Sequence, residues 1–171
     1  LMGSPGSGKT AILEATARAA PGRRFAAVAG DLATDHDAVR LRKAGIPSLA
    51  LTTGQACHLD AKMIHHALHE VPIAGLDVFF IENVGNLVCP AGFDIGEDHK
   101  VALLSVTEGE DKPLKYPQTL HAATLMIITK TDLRPYLDFD VARCKAFARQ
   151  VNPHIEIIEL SCRSGAGLTG W

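Results

Sequence analysis

The chain has 171 residues, 47% of them hydrophobic and 21% charged, with a formal net charge of −2. That length suits one domain that buries roughly 70% of its unfolded surface. Near-neutral charge without a basic run argues against nucleic acid or a membrane surface as partner, and apolar runs such as DVFFI and TLMII stop far short of the ~20 residues of a membrane span.

LMGSPGSGKT opens the sequence with a phosphate-loop pattern preceded only by Leu1 and Met2, so most of a first strand and any N-terminal extension are expected to lie outside it. Ala11 to Ala20 reads as a helix, Arg24 to Ala29 as a strand ending at Gly30-Asp31, and Asp35 to Ala44 as a helix closed by Gly45 and Pro47. Ser48 to Thr52 is the next strand, and Leu59 to Glu70 carries apolar residues at helical spacing. Asp77 to Ile81, Lys100 to Val106, Thr124 to Thr129 and Ile155 to Leu160 are strand-length apolar runs, with a helix over Asp140 to Val151 before the last. Short apolar runs alternating with helices predict an α/β fold of the P-loop NTPase kind, a mostly parallel sheet covered by helices on both faces. No internal repeat or linker divides the chain, so 1–171 is read as one nucleotide-binding domain.

Gly3-Ser4-Pro5-Gly6-Ser7-Gly8-Lys9-Thr10 satisfies G-x-x-x-x-G-K-[ST] at every fixed position. Glycines let backbone N–H groups turn toward phosphate oxygens, Lys9 supplies a point charge to the β/γ-phosphates, and Thr10 offers a hydroxyl to Mg²⁺. Further on, the strand ending T-K-T-D (Thr129 to Asp132) is close to the N-K-x-D pattern of guanine sites. An aspartate accepts from both N1–H and the exocyclic amine of guanine, whereas adenine would leave it unpaired. Lys130 is expected across the base plane, and Ser161-Cys162-Arg163-Ser164-Gly165 offers backbone N–H groups to the guanine O6. Thr129 departs from the usual asparagine, which puts guanine affinity in question. Between these, Asp31 after one strand and Glu82 of ENVG after another are the candidates to reach Mg²⁺ or the attacking water, with Asp31 as a Mg²⁺ ligand beside Thr10.

Four cysteines, Cys57, Cys89, Cys144 and Cys162, in a chain without a secretory signal suggest reduced thiols in the cytoplasm, serving metal binding or packing. Cys57, His58 and Cys89 all follow strands, and segments after parallel strands gather at one rim. Thiolate and imidazole together suit Zn²⁺ or Ni²⁺. Packing remains the other reading of the same residues. Cys57, placed at a helix start, would have its thiolate favoured by the dipole. Three ligands leave a tetrahedral site one short, to be completed by water or a second copy of the chain. His65 and His69 are four apart on the next helix, a spacing that chelates metal as well as one that merely faces solvent.

The combination GSPGSGKT, GDLATDHDA, TTGQACHLDA, ENVGNLVCP and T-K-T-D resembles the HypB family of hydrogenase nickel-incorporation GTPases over nearly the whole chain. The resemblance implies a dimerising SIMIBI-type GTPase with GTP/GDP and Mg²⁺, and a Ni²⁺ or Zn²⁺ site at the dimer interface built from Cys57, His58 and Cys89. It also implies the metallochaperone HypA and the [NiFe]-hydrogenase large-subunit precursor as partners, and slow intrinsic hydrolysis, because no arginine finger or glutamine stands at a catalytic position. Rival readings are a nickel-storage protein with a regulatory nucleotide site, a urease-type nickel-insertion GTPase, and a small-molecule kinase on the same phosphate loop.

Overall fold

The computed structural model describes residues 1–171. Its elements are β1 (Met2–Gly3), α1 (Lys9–Ala19), β2 (Phe25–Asp31), α2 (His36–Lys43), β3 (Ser48–Thr52), α3 (Ala61–Ala67) and β4 (Val78–Glu82). There follow β5 (Val101–Ser105), α4 (Lys112–Lys115), α5 (Pro117–Ala122), β6 (Leu125–Thr129), α6 (Val141–Val151) and β7 (Glu156–Glu159). Every strand pairing is parallel, in the orders β3-β2-β4 and β1-β5-β6-β7. The two groups meet at β4 and β1, where the Leu1 nitrogen donates to Ile81 O at 2.7 Å and Asn83 N donates to Leu1 O at 3.1 Å.

Side chains alternate across a pleated strand, and this explains how one sheet serves two cores. Leu103 and Ile127 pack with Ile12 and Leu13 of α1 and Leu41 of α2. Their chain neighbours Leu104 and Ile128 pack on the opposite face with Leu120 of α5 and Cys144 and Ala148 of α6. A smaller cluster joins Val28 of β2 to Leu59, Ile64 and Ala67 around α3. Helices therefore cover both faces, as the alternating pattern predicts. No helix is long and apolar enough to cross a membrane.

Two local differences from the sequence expectation have simple causes. Helix α3 begins at Ala61 because the Asp60 carboxylate accepts from Met63 N at 2.8 Å, an N-cap that leaves Leu59 outside the helix. Helices α4 and α5 went unread because each is short and carries a proline in its first turn, Pro113 and Pro117. Proline is tolerated there since the first-turn N–H has no partner within the helix.

Leu103 is fully buried in the middle of the joined sheet. Leu103→Ala is expected to cost about 3 kcal/mol through lost transfer energy and a residual cavity. Urea unfolding should show a lower midpoint with an unchanged m-value.

Candidate functional site

Parallel register brings the carboxyl ends of the strands to one rim: Asp31 lies level with Thr52, Ala29 with Glu82, and Ser105 with Thr129. The phosphate loop crosses this rim from β1 into α1. Gly8 adopts φ 101° at the helix entry, a left-handed conformation that suits glycine. Gly3 has no room for a side chain, since a Cβ would stand 2.5 Å from Ser7 Oγ and 2.7 Å from Leu103 O. Lys9 Nζ folds back over the loop, donating to Gly3 O at 3.2 Å and Ser4 O at 3.4 Å. Burial pulls the Lys9 pKa below its ordinary value, with the Glu82 charge opposing that shift. The loop is braced from the other side by Glu108, which accepts from Ser4 Oγ at 2.7 Å and from Ser105 N at 3.1 Å.

Behind Lys9, three oxygens converge. Thr10 Oγ1 lies 2.8 Å from both Asp37 Oδ1 and Glu82 Oε1. One hydroxyl proton can serve only one of the two carboxylates, so the other contact needs a proton on Glu82 or a cation among the oxygens. Burial pushes Glu82 up to about 7, partly offset by Lys9 and the Thr10 hydrogen bond. Its Oε2 is buried without a partner. A hydroxyl and two carboxylates of this kind fit a hard, oxygen-seeking cation such as Mg²⁺.

Asp37 was missed from sequence because it sits on α2, where an acidic residue in a first turn looks like dipole compensation. Arg40, one turn on, holds it at 3.4 Å while making a closer pair with Glu14 at 2.9 Å. Asp31, the residue singled out from sequence, is not brought to Thr10. Its Oδ1 accepts from Ala33 N at 2.9 Å, Thr34 N at 2.8 Å and Thr34 Oγ1 at 3.1 Å, closing the turn after β2. Those backbone hydrogen bonds hold its pKa below the usual carboxylate range.

At the base end, Asp132 Oδ1 accepts from Ser161 Oγ at 2.5 Å. The same Ser161 oxygen accepts from Arg163 N and Ser164 N, both at 3.2 Å, so the loop containing Cys162 is folded around it. Burial raises the Cys162 thiol pKa. Lys130 is the only non-glycine residue with positive φ, at 58°. Strain of that kind collects at functional turns. Thr129 Oγ1 donates to Ser7 O at 2.6 Å, so the unusual threonine ties β6 to the phosphate loop.

Cys57, His58 and Cys89 are brought together, their ligand atoms all within 4.8 Å of one another. One feature differs from expectation. Cys57 lies in the turn before α3, with Asp60 occupying the cap position, so the helix dipole does not act on it directly. The sulfurs of Cys57 and Cys89 face each other, with Cα atoms 6.1 Å apart. Two thiolates beside an imidazole have the donor chemistry of Zn²⁺ and Ni²⁺ sites. The His58 ring is stacked on Phe93 at 3.7 Å, and its Nδ1 lies 3.8 Å from Cys57 Sγ.

Asparagines escaped the sequence reading but secure this cluster. Asn83 Oδ1 accepts from Leu59 N and Val84 N, both at 2.9 Å, joining the turn after His58 to the end of β4. Asn86 Oδ1 accepts from Val88 N at 2.7 Å and Cys89 N at 3.3 Å, and Asn86 also forms an isolated bridge with Gly3. Both lie in ENVGN, where an uncharged amide after a strand reads as ordinary turn chemistry. Of the other two thiols, buried Cys144 is pushed up to about 12 and is inert packing.

A phosphate loop at the carboxyl rim of a parallel sheet covered by helices on both faces defines a P-loop nucleotide-binding domain. The family model described as "CobW/HypB/UreG, nucleotide-binding domain" matches residues 1–159. The hydrogenase maturation factor HypB of Azotobacter vinelandii is 58% identical over all of this chain, which spans 57% of that relative's length. Among solved structures, HypB from Helicobacter pylori in complex with nickel superposes with a TM-score of 0.94 at 42% identity, covering 99% of this chain and 80% of that one. HypB from Archaeoglobus fulgidus superposes at 0.90 with 41% identity, covering 99% and 83%. The chain belongs to the CobW/HypB/UreG family and, within it, to the HypB group.

The Glu82 environment has a measurable consequence. Its folded pKa of about 7 exceeds the ordinary 4.5, so the protonated form favours the fold. That stabilisation is full below pH 4.5 and is lost as the pH rises through 7. In the unliganded protein, Glu82→Gln should therefore raise stability at pH 8 by about 3 kcal/mol and by much less at pH 5. Urea midpoints at the two pH values test this, and equal gains at both would refute it.

Proposed function

We propose that this chain is the GTPase domain of a nickel metallochaperone for [NiFe]-hydrogenase, in which nucleotide state sets the geometry of the Cys57–His58–Cys89 site. The observation carrying this reading is Asn83. It directly follows Glu82, the carboxylate on Thr10, and its side chain holds Leu59, which directly follows His58. A change at the phosphates that moves Glu82 therefore pulls on the metal turn through one residue. Asn86 provides a parallel link from Gly3 of the phosphate loop to Cys89. The HypB names of the relatives, and the nickel in the Helicobacter pylori structure, support the assignment of cargo.

In this mechanism Asp132 pairs with guanine, Ser161 keeps that carboxylate oriented, and Lys130 and the loop through Cys162 and Arg163 enclose the base. Gly3, Ser4, Gly6, Ser7 and Gly8 wrap the phosphates, and Lys9 turns from its carbonyl contacts to the phosphate oxygens. Thr10, Asp37 and Glu82 would hold Mg²⁺, which neutralises the charge developing on the transferred phosphoryl group. Asp31 sits on the adjacent turn, positioned to respond when α2 and Asp37 move. Arg40 is engaged by Glu14 and Asp37 and is not free to act on the phosphates, which supports slow intrinsic hydrolysis.

Nickel, as cargo, takes both sulfurs as thiolates, so loading releases their protons to solvent. Exposed Val88 and Phe93 flank Cys89 and His58. An apolar rim there favours a second copy of the chain, which would close the coordination shell and make the site depend on GTP-driven dimerisation. HypA and the hydrogenase large-subunit precursor, in the cytoplasm, are the proposed source and destination of the metal.

Linkage requires that if nucleotide changes metal affinity, metal changes nucleotide affinity by the same factor. With the reduced protein, Ni²⁺ affinity should differ between GDP and a non-hydrolysable GTP analogue, and Cys89→Ala should lower it at least tenfold in both. Asn83→Ala should retain metal binding yet lose the difference between nucleotide states. Equal affinity in both states for the wild type would instead favour a storage protein.

A further inference from the structure

The end of helix α3 and the turn that follows it carry a second cluster of metal-ligating side chains that the nucleotide and Cys57 sites do not use. His65 and His69 are exposed, four residues apart, with Nε2 atoms 3.5 Å from each other and rings at 89°. That separation is long for an N–H···N hydrogen bond. It is close to what one shared cation would impose: two nitrogens each about 2.1 Å from a tetrahedral centre stand roughly 3.4 Å apart. Histidines four apart at helical spacing are also a known chelating arrangement for transition metals, and here His69 stands in the turn that directly continues α3.

The platform beneath the pair is anchored. Ile64 and Ala67 are buried under the sheet, and the Asp60 cap secures the first turn. The last turn is closed by His69 N donating to His66 O at 3.1 Å and Val71 N to Ala67 O at 3.1 Å. Two imidazoles already held this close lose little freedom on closing around an ion. His66 points elsewhere, its ring 6.1 Å from that of His65.

We propose that His65 and His69 form a separate bis-imidazole site for a late first-row divalent cation such as Ni²⁺, open to solvent and completed by water. Binding there is independent of the Cys57 site. Its use as a holding position for cargo rests on the function proposed above, since α3 grows directly out of the turn that carries His58.

The test is Ni²⁺ titration by isothermal calorimetry on the full chain with both Cys57→Ala and Cys89→Ala, folding being checked by far-ultraviolet circular dichroism. One Ni²⁺ per chain is expected, with affinity reduced at least tenfold by His65→Ala or His69→Ala and changed less than twofold by His66→Ala. With Cu²⁺ as probe, electron paramagnetic resonance should show hyperfine coupling to two nitrogens that His65→Ala removes. No binding in the chain lacking Cys57 and Cys89, or binding indifferent to His65 and His69, overturns the proposal. Failure of the Cys57 site shows separately, as the same Ni²⁺ stoichiometry with and without the two cysteines.

Discussion

The structure depends on a carboxylate buried where it is costly to bury one. Glu82 ends β4 inside the rim, with the Thr10 hydroxyl on one oxygen, the Lys9 charge acting from nearby and the other oxygen unpartnered. Left ionised and alone, such a group costs several kcal/mol, which is why its proton is retained to near neutral pH. A cation or a rearranged lysine relieves that cost, which makes Glu82 responsive to phosphate and metal. Asp37 sharpens the effect, because a second negative charge on the same hydroxyl makes ionisation of Glu82 harder still.

That tension is transmitted because the neighbours of Glu82 are not free to relax independently. Asn83 has its amide oxygen committed to two backbone N–H groups on two segments. Leu59, one of those partners, is fully buried against Gly30, where even a methyl group would come within 2.8 Å of its side chain. The turn bearing Cys57 and His58 is thus pinned between β2 and β4. On the other flank, Asn86 couples the phosphate loop to the turn of Cys89. Few hydrogen bonds separate the phosphate loop from the sulfurs, and those of Asn83 and Asn86 are to backbone, so small shifts are passed on rather than absorbed by side-chain rotation.

Cys57 and Cys89 bring two sulfurs to the same place beside His58, from the segments that follow β3 and β4. The His58 ring, fixed by stacking on Phe93, keeps its position by packing rather than by the sulfur it adjoins.

Much of this was legible in the residues themselves. The phosphate loop, the alternating βα pattern, the T-K-T-D strand and the proximity of Cys57, His58 and Cys89 follow from local motifs combined with the rule that parallel strands share a rim. What remained hidden depended on which groups meet across long chain separations. Asp37 and Asp31 are both acidic residues after β2, and only the packing of α2 on α1 decides that Asp37 meets Thr10 while Asp31 closes its own turn. Thr129 looked like a weakened base contact until β6 was placed beside Ser7, 122 residues earlier in the chain. Sequence by itself determined the chemistry available, because side-chain type and periodicity are local properties. Tertiary structure alone decided which oxygen, sulfur or amide faces which partner, because such pairings are set by the joint packing of distant segments.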